Sequence, residues 1–163
     1  MVAVYSTNSV KYNITQCTKS DVDIHYETIR SNVTDTDESV YKKAMLESVN
    51  EGTAYKASID GKDVAWLYVH KVINTWLGSS IYKSDFIGML LVFKEFSEHA
   101  INCRTIRYTP HKGMLTLMKS IVTGQSLRLY HNGIPYVKIN VTELINKFTL
   151  LYNKLGITNV SSS

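Results

Sequence analysis

The spacing of apolar positions along the chain predicts short strands mixed with amphipathic helices. Short runs rich in β-branched and aromatic residues are typical of strands, and apolar residues three to four apart are typical of helices. The first pattern predicts strands over residues 3–18, 53–59, 64–69, 75–82, 105–108, 126–131 and 134–139. The second predicts helices over residues 20–32, 35–51, 84–100, 114–124 and 141–155. We interpret the polar residues 6–9 as an irregularity within one long first strand.

Turn and capping residues mark the ends of these elements. Asp60-Gly61 and Asn132-Gly133 each separate two predicted strands, and such pairs favour tight hairpins because both central residues readily adopt positive φ. Ser20 and Asp35 are placed to begin the first two helices, and Asn140 is placed to begin the last.

Composition and charge limit the classes of protein to which this chain could belong. A chain of 163 residues with 44% hydrophobic residues is long enough for one domain with a full core. The net charge of +4 is spread without a basic run, so we do not expect nucleic-acid binding. No signal-peptide pattern and no membrane-length apolar run is present, which predicts a cytoplasmic protein. Two distant cysteines, Cys17 and Cys103, are predicted to be buried free thiols, and no metal site is expected.

The order of the predicted elements, together with one local motif, resembles a known family. The run Gly88-Met89-Leu90-Leu91-Val92 is similar to the start of the cofactor-binding helix in GCN5-related N-acetyltransferases, and the order of elements is similar over residues 4–139. The resemblance implies a mostly antiparallel sheet of six to seven strands flanked by helices, in which strands 75–82 and 105–108 run parallel. It implies one domain over residues 1–157, with an added C-terminal helix at 141–155 and a flexible tail at 158–163.

In that family, the loop before the helix holds the pyrophosphate of acetyl-CoA on backbone N–H groups. The resemblance therefore implies cofactor contacts from the following residues: Ile81, Tyr82, Lys83, Phe86, Ile87 and Gly88. Lys83 stands where the family has Arg or Gln, and Phe86 stands where it has Gly, so the loop is degenerate. The alternative is an ordinary turn into a helix that is capped by Ser84 or Asp85.

The residues that would carry out acetyl transfer are also incomplete. Met118 occupies the position where active family members have a Tyr that protonates the leaving thiolate. Tyr108 and Tyr130 are weak substitutes for it, and His70 at a strand end is a candidate general base. The alternative for His70 is a core or solvated histidine, and Asp63 is interpreted first as a charged turn residue.

The sequence is consistent with three functions. The first is a non-catalytic acetyltransferase-like protein that binds other proteins, because the chain also resembles, in its spacing over residues 50–140, the acetyltransferase-like internal virion proteins of short-tailed phages. Its C-terminal helix would dock a partner or a second copy, unless that helix packs on its own domain. The second is an N-acetyltransferase that uses acetyl-CoA, and the third is an unrelated α+β binding module.

Overall fold

The computed structural model describes residues 2–33, 37–109 and 127–161, and these form a mixed sheet with helices on both faces. The strands are β1 (Val2–Thr7), β2 (Val10–Gln16), β3 (Ala54–Ile59), β4 (Lys62–Val72), β5 (Thr75–Lys83), β6 (Thr105–Tyr108), β7 (Leu127–Leu129), β8 (Pro135–Asn140) and β9 (Thr158–Asn159). The helices are α1 (Lys19–Ile29), α2 (Glu38–Glu51), α3 (Phe86–His99) and α4 (Val141–Lys154), with a 3₁₀ turn at Arg30–Asn32 after α1.

The strand order confirms the predicted α+β class and its parallel strand pair. The sheet has the order β7-β8-β6-β5-β4-β3-β2-β1-β9. β5 and β6 are parallel, with Leu77 opposite Arg107 and Gly78 opposite Tyr108, and α3 connects them. The other neighbouring strands are antiparallel. A crossover helix is what a parallel pair requires, because a tight turn can join only antiparallel strands.

Two hydrophobic cores lie on opposite faces of this sheet. Successive side chains of a strand point to opposite faces, and β4 shows this clearly. Leu67 and Val69 join the larger core beneath α3 and α4, while Trp66 and Tyr68 join the smaller core beneath α1 and α2. These four side chains are at most 1% exposed, so both faces of β4 are covered, and the continuous apolar run of its sequence follows from that.

Both predicted hairpin turns and the predicted cap of the last helix are confirmed. Asp60 and Gly61 have φ values of 50° and 79°, and the hairpin of β3 and β4 forms around them. Gly133 has a φ of 85° in the loop between β7 and β8. The side chain of Asn140 accepts the backbone N–H of Glu143 at 3.0 Å, which caps α4.

Several boundaries differ from the prediction. The single first strand is wrong: Asn8 and Ser9 adopt φ values of 46° and 69° and turn the chain into a β1–β2 hairpin. Asn and Ser are weaker turn signals than Gly, which hid this hairpin. The expected tail begins instead with β9, which pairs with β1. Both changes raise the strand count to nine among the described residues.

The first residues of α1 and α2 also differ from the prediction. Thr18, two residues before the predicted Ser20, is the cap of α1, and the Asp21 carboxylate accepts its backbone N–H at 2.8 Å. Asp37 caps α2 in place of the predicted Asp35. Ser, Thr and Asp are nearly equivalent as caps, so a run of them does not identify the first helical residue. The predicted helix over 114–124 lies outside the described residues.

Both cysteines are buried free thiols, as predicted. Burial raises the pKa of Cys17 to about 12 and that of Cys103 to about 11. Thiols with such pKa values are unreactive at neutral pH. Within the described ranges, no helix is long and apolar enough to cross a membrane.

Candidate functional site

β5 continues beyond the last described residue pair that it forms with β6, and the candidate site lies beside this end of β5. Their described ladder covers only the pairs at Leu77 and Gly78, while β5 continues to Lys83. Tyr68 of β4 pairs with Ser80, but Val69 pairs with Gly78, so Ser79 is an extra, bulged residue in β5. A bulge bends its strand and leaves peptide groups unpaired, and bulges occur often beside binding sites.

The N-terminus of α3, at the end of β5, is capped by the carboxylate of Asp85. Its Oδ1 accepts the backbone N–H of Gly88 at 2.8 Å, and its Oδ2 accepts the hydroxyl of Tyr12 at 3.1 Å. The backbone N–H groups of Ser84 and Asp85 both donate to the Val64 carbonyl, at 2.8 and 3.2 Å. A helix N-terminus attracts anions, and here the protein supplies the anion itself.

Phe86 and its neighbours fill the space around this cap. Phe86 is half-buried and packs against the larger core. The Nζ atoms of Lys83 and Lys147 each lie 5.4 Å from the centre of its ring, which is cation–π distance. The Lys83 ammonium is thus placed against an aromatic ring.

Two of the six predicted cofactor residues have buried or stacked side chains. Ile81 is 2% exposed within the larger core, and the ring of Tyr82 stacks on Trp66 at 4.2 Å. These side chains point to opposite faces of the sheet. Contact between either residue and a ligand beside this end of β5 would therefore involve the strand backbone.

Gly88 is required by helix–sheet packing. A Cβ atom at this position would lie 3.2 Å from Val64 Cγ2 and 3.3 Å from Ala57 Cβ. Both distances are shorter than an ordinary carbon–carbon contact. The glycine of the motif is therefore explained by close packing of α3 on β3 and β4, without a phosphate.

A cavity of about 240 Å³ lies beside the bulge, on the face covered by α2. His70 and Tyr130 both line it, together with Gly78 and Ser79. The His70 side chain has its Nε2 atom 3.8 Å from a Glu47 carboxylate oxygen, and its buried Nδ1 atom has no partner among the described residues.

The two tyrosine candidates occupy different surroundings. Tyr130 is partly exposed at the cavity; burial raises its pKa, although the charge of Arg107 opposes the shift. Tyr108 is 2% exposed in the larger core, and burial raises its pKa as well. The structure therefore brings His70 and Tyr130 to one cavity and places Tyr108 in the core.

A buried polar cluster beneath α1 was not found by sequence reasoning. His25 Nε2 lies 2.7 Å from an Asp63 carboxylate oxygen, and its Nδ1 lies 2.7 Å from the Tyr68 hydroxyl. Asp21, His25 and Asp63 bring potential metal-ligand atoms within 4.8 Å of one another. The ammonium of Lys56 contacts both carboxylates, at 2.8 and 3.4 Å, so a cation already occupies the space between them.

Comparison with known proteins identifies the fold. The chain superimposes on the structure titled "Mycobacterium smegmatis RimJ in complex with CoA-disulfide" with a TM-score of 0.54, covering 92% of this chain and 93% of that one at 11% identity. This chain has the GCN5-related N-acetyltransferase fold. The Escherichia coli ribosomal-protein-S18-alanine N-acetyltransferase also matches, with a TM-score of 0.46 and 13% identity over 93% of this chain and 96% of that one. No family model and no curated protein sequence matches the chain.

Proposed function

We propose that this chain is a non-catalytic protein built on the acetyltransferase fold, and that it acts by binding another protein. The observation that carries the proposal is the Asp85 carboxylate at the N-terminus of α3, bonded to Gly88 N–H and to the Tyr12 hydroxyl. We expect it to act in the cytoplasm of a host cell or in a virion, as a phage virion or host-takeover component.

The Asp85 carboxylate opposes cofactor binding by charge. A phosphate bound at the N-terminus of α3 would lie within a few ångströms of this carboxylate. Two like charges 4 Å apart repel by about 4 kcal/mol at an effective dielectric constant of 20. Such a repulsion corresponds to a loss of affinity of about a thousandfold. Phe86 adds bulk where the family's glycine leaves room for the ligand.

The missing general acid supports the same proposal. Met118, at the sequence position of the family's Tyr, has no proton to transfer. The changed cofactor loop affects cofactor binding, and the missing acid affects protonation of the leaving thiolate, so the two changes concern independent steps of the reaction. The fold shared with an acetyltransferase also disfavours the third function, an unrelated binding module.

The surface that we propose for the partner is the exposed side of α4 together with the groove between α4 and α3. Its inner side packs on the chain's own core through Leu144 and Phe148, which are each 2% exposed. Leu150 is 78% exposed, and a groove of about 240 Å³ runs past Ile145 and Tyr152 towards α3. A partner would therefore bind a helix that is already held by its own domain.

A second candidate function is acetyl transfer from acetyl-CoA. His70 favours it, because an imidazole with an unpartnered Nδ1 atom, among the described residues, lines the cavity at the bulge. His70 would act as the base that deprotonates the acceptor amine, and Tyr130 would be the acid. Acetyl-CoA would be the cofactor of this function, whereas the first function requires none.

Calorimetric titration with acetyl-CoA tests the first function against the second. We expect the natural protein to bind more weakly than micromolar and Asp85→Asn to bind at least about tenfold more tightly, since it removes the charge and keeps a cap. The matched control, Asp60→Asn, changes an exposed turn residue and should have no effect. Sub-micromolar binding by the natural protein, with acetyl transfer that is lost in His70→Gln, would establish the second function instead.

A further inference from the structure

A second cavity, of about 270 Å³, lies at the N-terminal ends of β5 and β6. Four of its lining residues are basic, and none is acidic. The basic residues are Lys71, Arg104, Arg107 and Lys138. The remaining lining residues are Asn74, Thr75, Trp76, Asn102 and Thr105, all of which carry neutral hydrogen-bond donors.

The four positive charges are not neutralised within the described part of the chain. No described carboxylate lies within ion-pair distance of any of them. Glu51 accepts the backbone N–H of Lys71 at 3.2 Å, but it forms no ion pair with the ammonium of that residue. The cavity is therefore a concentrated site of positive charge.

Two of these residues face each other directly across the sheet. Arg107 of β6 is the register partner of Lys138 of β8, so both side chains point to the same face. Like charges at directly opposed positions destabilise an antiparallel pair. Both cations line this cavity, and a bound anion would offset their repulsion.

Aromatic rings position two of the cations without neutralising them. The Lys71 Nζ atom lies 5.4 Å from the centre of the Trp76 ring. The Arg107 guanidinium lies 5.3 Å from Tyr136 and 5.9 Å from Tyr130, two rings that stack on each other at 4.2 Å. Cation–π contacts of this kind preserve the charge of the cation, which leaves it available to a ligand.

We propose that this cavity binds a small ligand through a phosphate group. Guanidinium groups match the geometry of phosphate oxygens, and Arg104 and Arg107 supply two of them. The volume is close to the lower end of small-molecule sites. The charges converge on one cavity, whereas proteins that bind single-stranded nucleic acids track the backbone along an extended groove, so a small phosphorylated molecule is favoured over RNA.

The test is an NMR titration with inorganic pyrophosphate at low salt. We expect saturable binding by the natural protein, and a loss of about tenfold or more in Arg104→Gln and in Lys138→Gln, as is usual when a charged hydrogen bond is removed. Lys19→Gln, at an exposed lysine of α1, should bind like the natural protein. An absence of saturable binding, or an equal loss in all three variants, would overturn the proposal.

A stability measurement separates a ligand site from a structural role. Because Lys138 faces Arg107, Lys138→Gln should raise the melting temperature of the free protein while it weakens pyrophosphate binding, and Lys138→Arg should preserve binding. A lower melting temperature for Lys138→Gln would show that the charge serves the fold, against our proposal. A short single-stranded RNA that binds more tightly than pyrophosphate, with the same sensitivity to these variants, would replace the small ligand with a nucleic acid.

Discussion

Replacing Lys56 by methionine would remove the cation from the buried cluster beneath α1. Its ammonium lies 2.8 Å from Asp21 and 3.4 Å from Asp63. The Asp21 side chain is 9% exposed and that of Lys56 is 21% exposed. Methionine keeps most of the length of the side chain, so the variant removes charge with little change in packing. Two carboxylates would then face each other beside His25.

The expected cost at pH 8 is about 2–3 kcal/mol. Removing one partner of a fully buried ion pair typically costs about 3–5 kcal/mol, and the partial exposure of Lys56 reduces this value. The directions of the pKa shifts agree with such a pair. Burial opposes ionisation of both groups, yet their hydrogen bond lowers the pKa of Asp21 and raises that of Lys56. A cost of this size is a large fraction of the stability of an ordinary domain.

The cost should become smaller at pH 5, because His25 can replace the missing charge. In the natural protein, burial lowers the pKa of His25. The unfolded chain therefore binds a proton at this residue more readily than the folded protein does. This difference lowers the stability of the natural protein as the pH drops below about 6.5. Without Lys56, we expect the two carboxylates to raise the folded-state pKa of His25 above its unfolded value. The resulting stabilisation is present below about pH 6.5 and is lost as the pH rises.

Urea unfolding followed by circular dichroism, at pH 8 and at pH 5, measures both effects. Lys62→Met is the control, since it makes the same change at an exposed residue of β4 and should cost less than about 0.5 kcal/mol. A cost for Lys56→Met below about 0.5 kcal/mol at pH 8, or one that does not shrink at pH 5, would refute this account of the cluster.

Two further predictions concern α3 and α4. Gly88→Ala should destabilise the protein by about 1 kcal/mol in urea unfolding, because crowding against Val64 outweighs the gain in helix propensity; a more stable variant would show that Gly88 is not held by packing. Phe148→Ala should cost about 3–5 kcal/mol because its side chain is 2% exposed, whereas Leu150→Ala should leave the unfolding free energy within about 0.5 kcal/mol. Equal costs in the two variants would contradict the described packing of α4.

The strand and helix order could be predicted because each element has a local signal. The hairpin at Asp60-Gly61 and the cap at Asn140 depend on residues adjacent in sequence, and both are confirmed. The Asn8-Ser9 turn was missed because Asn and Ser adopt positive φ less readily than glycine, which has no Cβ atom. β9 was missed because two residues with exposed side chains have no periodicity, and their pairing with β1 depends on where α4 ends.

The site was less predictable because its contacts join distant parts of the chain. Sequence analysis identified Asp85 as a possible cap, but its second bond comes from Tyr12, far away in sequence. Asp63 was interpreted as a charged turn residue, whereas it accepts hydrogen bonds from His25 and Lys56. The basic cavity draws its residues from four strands and two loops, so no run of charge marks it in the sequence.

The most direct test of the central claim is to follow the Gly88 amide by NMR while acetyl-CoA is added. In this protein, the Asp85 carboxylate lies at the N-terminus of α3, where an anion would otherwise bind, and its Oδ1 atom accepts the N–H of Gly88. We predict that the Gly88 resonance does not move with acetyl-CoA in the natural protein, and that it does move in Asp85→Asn. A large shift of this resonance in the natural protein at micromolar acetyl-CoA would contradict the claim.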